Sequence, residues 1–279
     1  MSDSFFTALE EDLICVRKQS VLPRFPQVTF HNHDGYEIFL FLGGDADYYV
    51  ESNGKLLERG DVILTVPYTF HSADARPNQT YDRVIINLKE SFLGRFQDES
   101  CNLADCFYRL PPDRLNLIRL CEDEIHHFVN LVSSLEEVMA GNAYGKNLLI
   151  QALLTQILVL LNQKVPETDE TTSFSGTMPP IVKAGIEFIN AHFTEDIHLK
   201  DLEIQLHHNK DYICRCFKSA TGISVGQFIL EKRLSLAKNL LTKGVFPSDV
   251  CYLSGFHDYA NFSRTFSKHV GLSPKQYQG

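Results

Sequence analysis

Between about Val28 and Leu88 the apolar residues fall in short blocks divided by turn-forming residues. Tyr36 to Leu42 is almost continuously apolar, and Tyr48 to Glu51 and Lys55 to Glu58 flank Ser52-Asn53-Gly54, an Asn-Gly hairpin signal. Val62 to Val66 follows Gly60-Asp61, and Val84 to Leu88 closes the run. Evenly spaced short strands of this kind predict a small β-barrel or sandwich. Downstream the spacing changes to a helical one, predicting helices around Asp113 to Met139 and Tyr144 to Gln163. In the second, Leu148, Leu149, Leu153, Leu154, Ile157, Leu158, Leu160 and Leu161 cover far more than one stripe, so that helix is expected to be buried on more than one side. One side suits the barrel. The other suits either a second protomer, giving a homodimer, or further residues of the same chain. Lys164 to Pro180 has no apolar period and reads as a linker.

Beyond the linker a pattern occurs twice with a constant offset of 49 residues. Asn209, Tyr212, Ile213, Arg215, Phe217, Gly222, Ser224 and Phe228 fall on Asp258, Asn261, Phe262, Arg264, Phe266, Gly271, Ser273 and Tyr277. Asn209 and Asp258 carry side-chain oxygens suited to capping a helix N-terminus. Ile213 and Phe217, like Phe262 and Phe266, lie four apart on one face. Arg215 and Arg264 are two residues, about 200°, around the helix from that face and point outward. Gly222 and Gly271 stop the helices, and Ser224 and Ser273 cap the next elements. Short helices over Leu199 to Leu206 and Ser248 to Leu253 precede them, making two helix-turn-helix units joined by a long helix from about Val225 to Leu241. Two such units suit two successive major-groove segments of double-stranded DNA.

Tyr212-Ile-Cys-Arg-Cys-Phe-Lys-Ser-Ala-Thr-Gly222, Arg233 with Ala237 and Leu240-Leu241, and Gly255-Phe-His-Asp-Tyr-Ala-Asn-Phe-Ser-Arg-Thr-Phe266 leading to Gly271-Leu-Ser-Pro274 carry a resemblance to the AraC/XylS family of bacterial transcription regulators. It covers about a hundred residues, from Ile181 to Gly279. The resemblance implies base-facing positions at Lys210, Asp211, Cys214 and Arg215 in the first recognition helix, and at Tyr259, Ala260, Asn261, Ser263 and Arg264 in the second. Lys218 and Lys268, with Lys210, suit phosphate contact or a solvated surface better than base reading. Glu203 stands where the family usually has a small Ala, and His208 where it has an apolar turn residue. Cys251 and Pro247 are the departures in the second copy.

A net charge of −9 looks wrong for a DNA binder until the chain is divided. Residues 180–279 carry 12 Lys and Arg against 9 Asp and Glu, while residues 1–179 carry 14 against 26, so the basic excess lies with the repeat. Seven scattered cysteines without framework spacing, and an N-terminal stretch without a basic start and apolar run, predict a reduced cytoplasmic setting. The most apolar segment, Leu148 to Leu161, is shorter than the roughly 20 residues that a membrane span needs. Cys214-x-Cys216 has no second cysteine pair nearby and is not read as a metal motif.

Within the first half, His31-Asn-His33-Asp-Gly-Tyr-Glu37 has the H-x-H-x3-E pattern of cupin barrels, and Gly60 to Pro67 followed by His71 resembles the second cupin motif. A carboxylate in an otherwise apolar strand needs a partner or a ligand. His71 lies four residues after Pro67, and Tyr68-Thr69 replaces the usual glycine spacing of the enzymes. AraC-type sensor domains share that departure, and in them the barrel interior commonly holds a small effector, often a sugar. The resemblance therefore implies an effector site from His31, His33, Glu37, Tyr48, His71 and Arg83, with no cofactor or metal expected. A surface role for His31 and His33 with Glu37 paired to Arg83 remains open.

The fold class expected is multi-domain α+β: residues 1–163 a cupin-like barrel followed by two helices, 164–180 a linker, and 181–279 an all-α DNA-binding domain with two helix-turn-helix motifs. The function implied is a non-enzymatic, sequence-specific regulator of promoter DNA, an activator that answers a small-molecule effector by changing its recruitment of RNA polymerase. The alternatives are a metal-dependent cupin enzyme with a DNA-binding tail and a constitutive DNA binder whose barrel is a scaffold.

Overall fold

The structure, a computed structural model, describes residues 6–7, 9, 11–21, 30–94, 101–111, 114–164 and 178–279. They form two compact units. One takes residues 9, 11–21, 33–94, 101–111 and 114–164; the other takes 178–279 together with 6–7 and 30–32. The expected linker, 164–180, lies outside the described residues from 165 to 177.

Two short strands, β1 (Phe6–Thr7) and β3 (Asn32–His33), pair with each other. The first unit is built on a five-stranded antiparallel sheet in the order β10-β7-β4-β9-β2 and a three-stranded one in the order β6-β5-β8. Their ranges are β2 Leu13–Val21, β4 Gly35–Gly43, β5 Ala46–Val50, β6 Asn53–Leu56, β7 Asp61–Thr65, β8 His71–Ala75, β9 Thr80–Lys89 and β10 Asn116–Arg119. Central strand β4 reads as almost continuous apolar sequence, broken by Glu37, because both of its faces are covered. Tyr36, Ile38, Leu40 and Leu42 join a core with α2 (Glu122–Ala140) and α3 (Lys146–Asn162). Phe39 and Phe41, on the opposite face, join Tyr48, Ile63 and Tyr81. A short helix, α1 (Glu90–Leu93), follows β9.

Two local expectations are corrected. The first helix begins at Glu122 rather than Asp113, because residues 116–119 form the edge strand β10 against β7. Leu115 and Leu117 enter one core and Ile118 the other, a period of two that only a strand satisfies. The hairpin turn is Glu51-Ser52, not Asn53-Gly54: Val50 pairs with Asn53 and Tyr49 with Gly54. Gly54 is there for close approach, since a Cβ on it would lie 2.4 Å from the Tyr49 ring. Glu51 takes the left-handed conformation in its place, φ 52°, and its carboxylate accepts from the Phe70 N–H at 3.2 Å.

The apolar surface of α3 is divided. Ile150, Leu154, Ile157, Leu158 and Leu161 are buried, while Leu148 and Leu149 near its start are exposed. Leu153, Val159 and Leu160 are half-buried against the same core.

In the second unit, α4 (Pro180–His192) precedes α5 (Leu199–Leu206) and α6 (Lys210–Thr221), the long α7 (Val225–Thr242), then α8 (Pro247–Leu253), α9 (Tyr259–Val270) and α10 (Pro274–Gln278). Asn209 Oδ1 accepts from Tyr212 N at 2.9 Å, and Asp258 Oδ1 from Asn261 N at 2.6 Å, the same cap in both copies. Such a cap contributes about 1 kcal/mol. Gly222 and Gly271 close the two helices at φ 77° and 82°. Ser224 and Ser273 then form capping boxes with Gln227 and Gln276. Ile213 and Phe217 are buried, with Phe217 edge-on to Phe228; Phe262 and Phe266 pack with Leu234, Ala237 and Leu241 of α7. Arg233 explains its place in the motif, donating to Phe193 O and Glu195 O, both at 2.7 Å, and so tying α7 to the segment after α4.

Candidate DNA-reading face and buried polar cluster

Because the apolar stripes of α6 and α9 are spent on the core, the opposite faces are left to solvent. Lys210, Asp211, Arg215 and Lys218 are exposed on α6 and Cys214 is half-buried. On α9, Tyr259, Ala260, Asn261, Arg264 and Lys268 are exposed and Ser263 is half-buried. Arg215 lies over the Tyr212 ring, 5.6 Å from its centroid. Neither Arg215 nor Arg264 has an acidic partner among the described residues, so both guanidinium groups remain available to a base or phosphate. Lys268 places positive charge in the last turn of α9, where His269 Nδ1 lies 3.5 Å from the buried Glu231 carboxylate of α7. Burial raises the pKa of Glu231, against the opposing pull of Lys238 and His269.

Two sequence departures acquire roles. Glu203, in place of the usual small residue, accepts from the Lys210 N–H at 2.7 Å and so caps the first recognition helix from outside. Cys251 is buried and donates to Phe256 O at 3.6 Å.

In the sheet unit, β4 carries Glu37 into the interior, 5% exposed, with Thr65 of β7 and Asn87 of β9 directly across from it. Tyr48 of β5 donates to Glu37 Oε1 at 2.8 Å. His33 Nε2 lies 3.3 Å from Oε2 and His71 Nε2 3.7 Å from Oε1, all three residues being buried. The Tyr48 and His71 rings stack nearly parallel, 6.2 Å apart. Burial opposes charge on Glu37, yet His71 and His33 hold its carboxyl well below the usual range. Burial likewise opposes charge on His71, and Glu37 outweighs it, leaving the His71 pKa raised. Burial, then Glu37, pushes the Tyr48 hydroxyl well up.

His33, Glu37, Tyr48 and His71 are therefore brought together, whereas two other expected members are not. His31 lies outside the His33–Glu37–His71 group. Arg83 lies over the Tyr81 ring at 4.1 Å and donates to Ser20 Oγ, so Glu37 is partnered by histidines rather than by arginine. Thr65, Tyr81 and Asn87 were not singled out from the sequence. Their signal was present in β9, where Tyr81, Arg83 and Asn87 alternate with the apolar set Val84, Ile86 and Leu88.

Two family descriptions match this chain. Residues 21–158 match the AraC-like ligand binding domain, and residues 204–279 a helix-turn-helix domain. The chain belongs to the AraC-type transcription regulators. It is 27% identical over 247 residues to an HTH-type transcriptional regulator, YbfI of Bacillus subtilis, covering 88% of this chain and 84% of the relative. It is 25% identical over 251 residues to the probable transcriptional regulator LumQ of Photobacterium leiognathi, covering 90% and 92%. Among solved structures, apo ToxT of Vibrio cholerae aligns over 96% of this chain and 97% of its own, at 16% identity and a TM-score of 0.40. This AraC-type protein is thus a DNA-binding regulator with a ligand-binding domain, not an enzyme, and the cupin-enzyme alternative falls. No helix among its described residues is long and apolar enough to cross a membrane.

Proposed function

We propose that this AraC-type regulator is a cytoplasmic, homodimeric activator whose α6 and α9 read promoter DNA and whose sheet unit binds a small polar effector. The observation that carries the DNA part is the duplication of one exposed face: Arg215 and Arg264 occupy equivalent positions on two helices that share the same cap, stop and apolar stripe. Base contacts are assigned to Arg215, Arg264, Asn261 and their neighbours, and phosphate contacts to Lys218 and Lys268.

The effector reading is supported by the buried polar set around Glu37. A carboxylate, two imidazoles and the Tyr48 hydroxyl on one face suit a ligand rich in hydroxyl groups, such as a sugar or a related metabolite. Arg83, held over the Tyr81 ring, belongs to this proposal as an outer member. The exposed Leu148 and Leu149 of α3 support a second protomer as the partner of that helix. Effector binding acts by favouring one arrangement of the dimer over another, and hence the recruitment of RNA polymerase.

The test is selection of bound sequences from random duplexes, followed by binding titrations on the selected operator with a panel of sugars. A specific operator whose affinity changes at least fivefold with one sugar supports the reading. An operator response indifferent to the whole panel and unchanged in Glu37→Ala makes the sheet unit a scaffold.

A further inference from the structure

The tautomers of the two buried histidines are set by their neighbours. His33 Nδ1 lies 3.0 Å from Gly35 O, and His71 Nδ1 lies 2.9 Å from Thr69 O. A carbonyl oxygen only accepts, so each Nδ1 carries its hydrogen and each Nε2 is turned toward Glu37. Both Nε2 atoms and the Glu37 carboxylate therefore converge on one buried space.

We propose that His33 Nε2, His71 Nε2 and a Glu37 carboxylate oxygen form a binding site for one divalent transition-metal ion. Two imidazoles and one carboxylate are a recurrent set for such ions. A backbone carbonyl on each Nδ1 is the outer-shell device that orients metal-binding histidines. Donors about 2.0–2.2 Å from a common ion are roughly 3–3.5 Å from one another; here His33 Nε2 lies 3.3 Å from Oε2 and His71 Nε2 3.7 Å from Oε1, so each imidazole faces a different oxygen of the same carboxylate. All the candidate donor atoms lie within 4.8 Å of one another, so small ring movements complete the geometry.

Three protein donors leave a coordination position for an outside oxygen. On the same sheet face, the Tyr81 hydroxyl is 5% exposed and, like Asn87 Oδ1, has no hydrogen-bond partner among the described residues. An effector bound to the ion through a hydroxyl or carboxylate oxygen has these two groups to satisfy. That last step rests on the effector reading above; the metal site itself does not.

The experiment uses the full chain, freed of metal by chelation and titrated with Co2+ as a spectroscopic probe and with Zn2+ by calorimetry. One ion per chain is expected, with visible Co2+ absorption, and at least tenfold weaker binding in His33→Gln, Glu37→Gln and His71→Gln. X-ray absorption of the wild-type Co2+ form is expected to show imidazole nitrogen and oxygen without sulfur, a readout that does not depend on whether the variants fold. No stoichiometric binding, unchanged affinity in folded variants, or sulfur ligation from the cysteines overturns the proposal. Because no DNA or sugar is involved, a failure here leaves the regulator reading standing, and loss of the sugar response leaves the metal site standing.

Discussion

Glu203 on α5 accepts a hydrogen bond from the Lys210 backbone N–H of α6 at 2.7 Å, so the first helix of the motif caps the recognition helix that follows it. A negative side chain at a helix N-terminus also opposes the unpaired N–H dipoles there. Replacing Glu203 with Ala removes both effects. The expected cost is about 0.5–2 kcal/mol, the usual range for losing a cap. Amide exchange at Lys210, Asp211 and Tyr212 of the full chain should accelerate accordingly, and Glu203→Gln should recover part of the protection. Unchanged exchange would remove the carboxylate from the account.

Arg264 and Lys268 are separable by the DNA used. If Arg264 reads a base, Arg264→Ala costs about 1–3 kcal/mol on the selected operator and far less on random duplex. Lys268→Ala weakens both DNAs alike and lowers the salt slope by about one. Competition binding at two salt concentrations decides between them. Equal losses on both DNAs for Arg264→Ala would make it a phosphate contact.

Gly255 and Gly271 have nearly the same backbone, φ 83° and 82°, but different surroundings. A Cβ at Gly255 would lie 2.8 Å from Thr194 Cα, whereas at Gly271 it meets nothing within 4 Å. Gly271→Ala should therefore cost only the left-handed penalty, about 1–2 kcal/mol. Gly255→Ala carries that penalty plus a backbone clash and should be the more damaging. Thermal unfolding followed by helical circular dichroism ranks them, and an equal effect would refute the clash.

The seven cysteines are free and should differ sharply in reactivity. Burial pushes the Cys15 thiol up to about 12, helped by Glu136, and burial does the same to Cys106. A group with that pKa is thiolate in only about one molecule in ten thousand at pH 8, rising tenfold per pH unit below 12. Exposed Cys101 and Cys121 should alkylate first. Operator DNA should slow the half-buried Cys214 if it faces the bases, and mass mapping of time-resolved alkylation reads all of these. Protection of Cys101 instead would misplace the DNA.

The helical half was legible because its signals are local. Asn209, Asp258, Gly222, Gly271, Ser224 and Ser273 each act within three or four residues of themselves, so caps and stops follow from spacing alone. The role of Glu203 was not legible, since it depends on how α5 meets α6 across the turn. In the sheet half, the strength of β4 was plain, but β10 was hidden inside an apparent helix. Four residues cannot declare a period of two against long-range competition, and only pairing with β7 made that segment a strand.

By itself the sequence determined the duplicated module, its outward arginines, the basic balance of the C-terminal residues and a buried carboxylate in a strand in need of partners. Tertiary structure decided which partners those are. Strand register set Asn87 and Thr65 beside Glu37, and strand pairing brought Tyr48 and His71 onto it from β5 and β8 while sending Arg83 to Tyr81 and Ser20. The physical reason is range: a cap or a helical stop is a contact between near neighbours in the chain, whereas the company of a buried charge is chosen by strands that meet only when the sheets close.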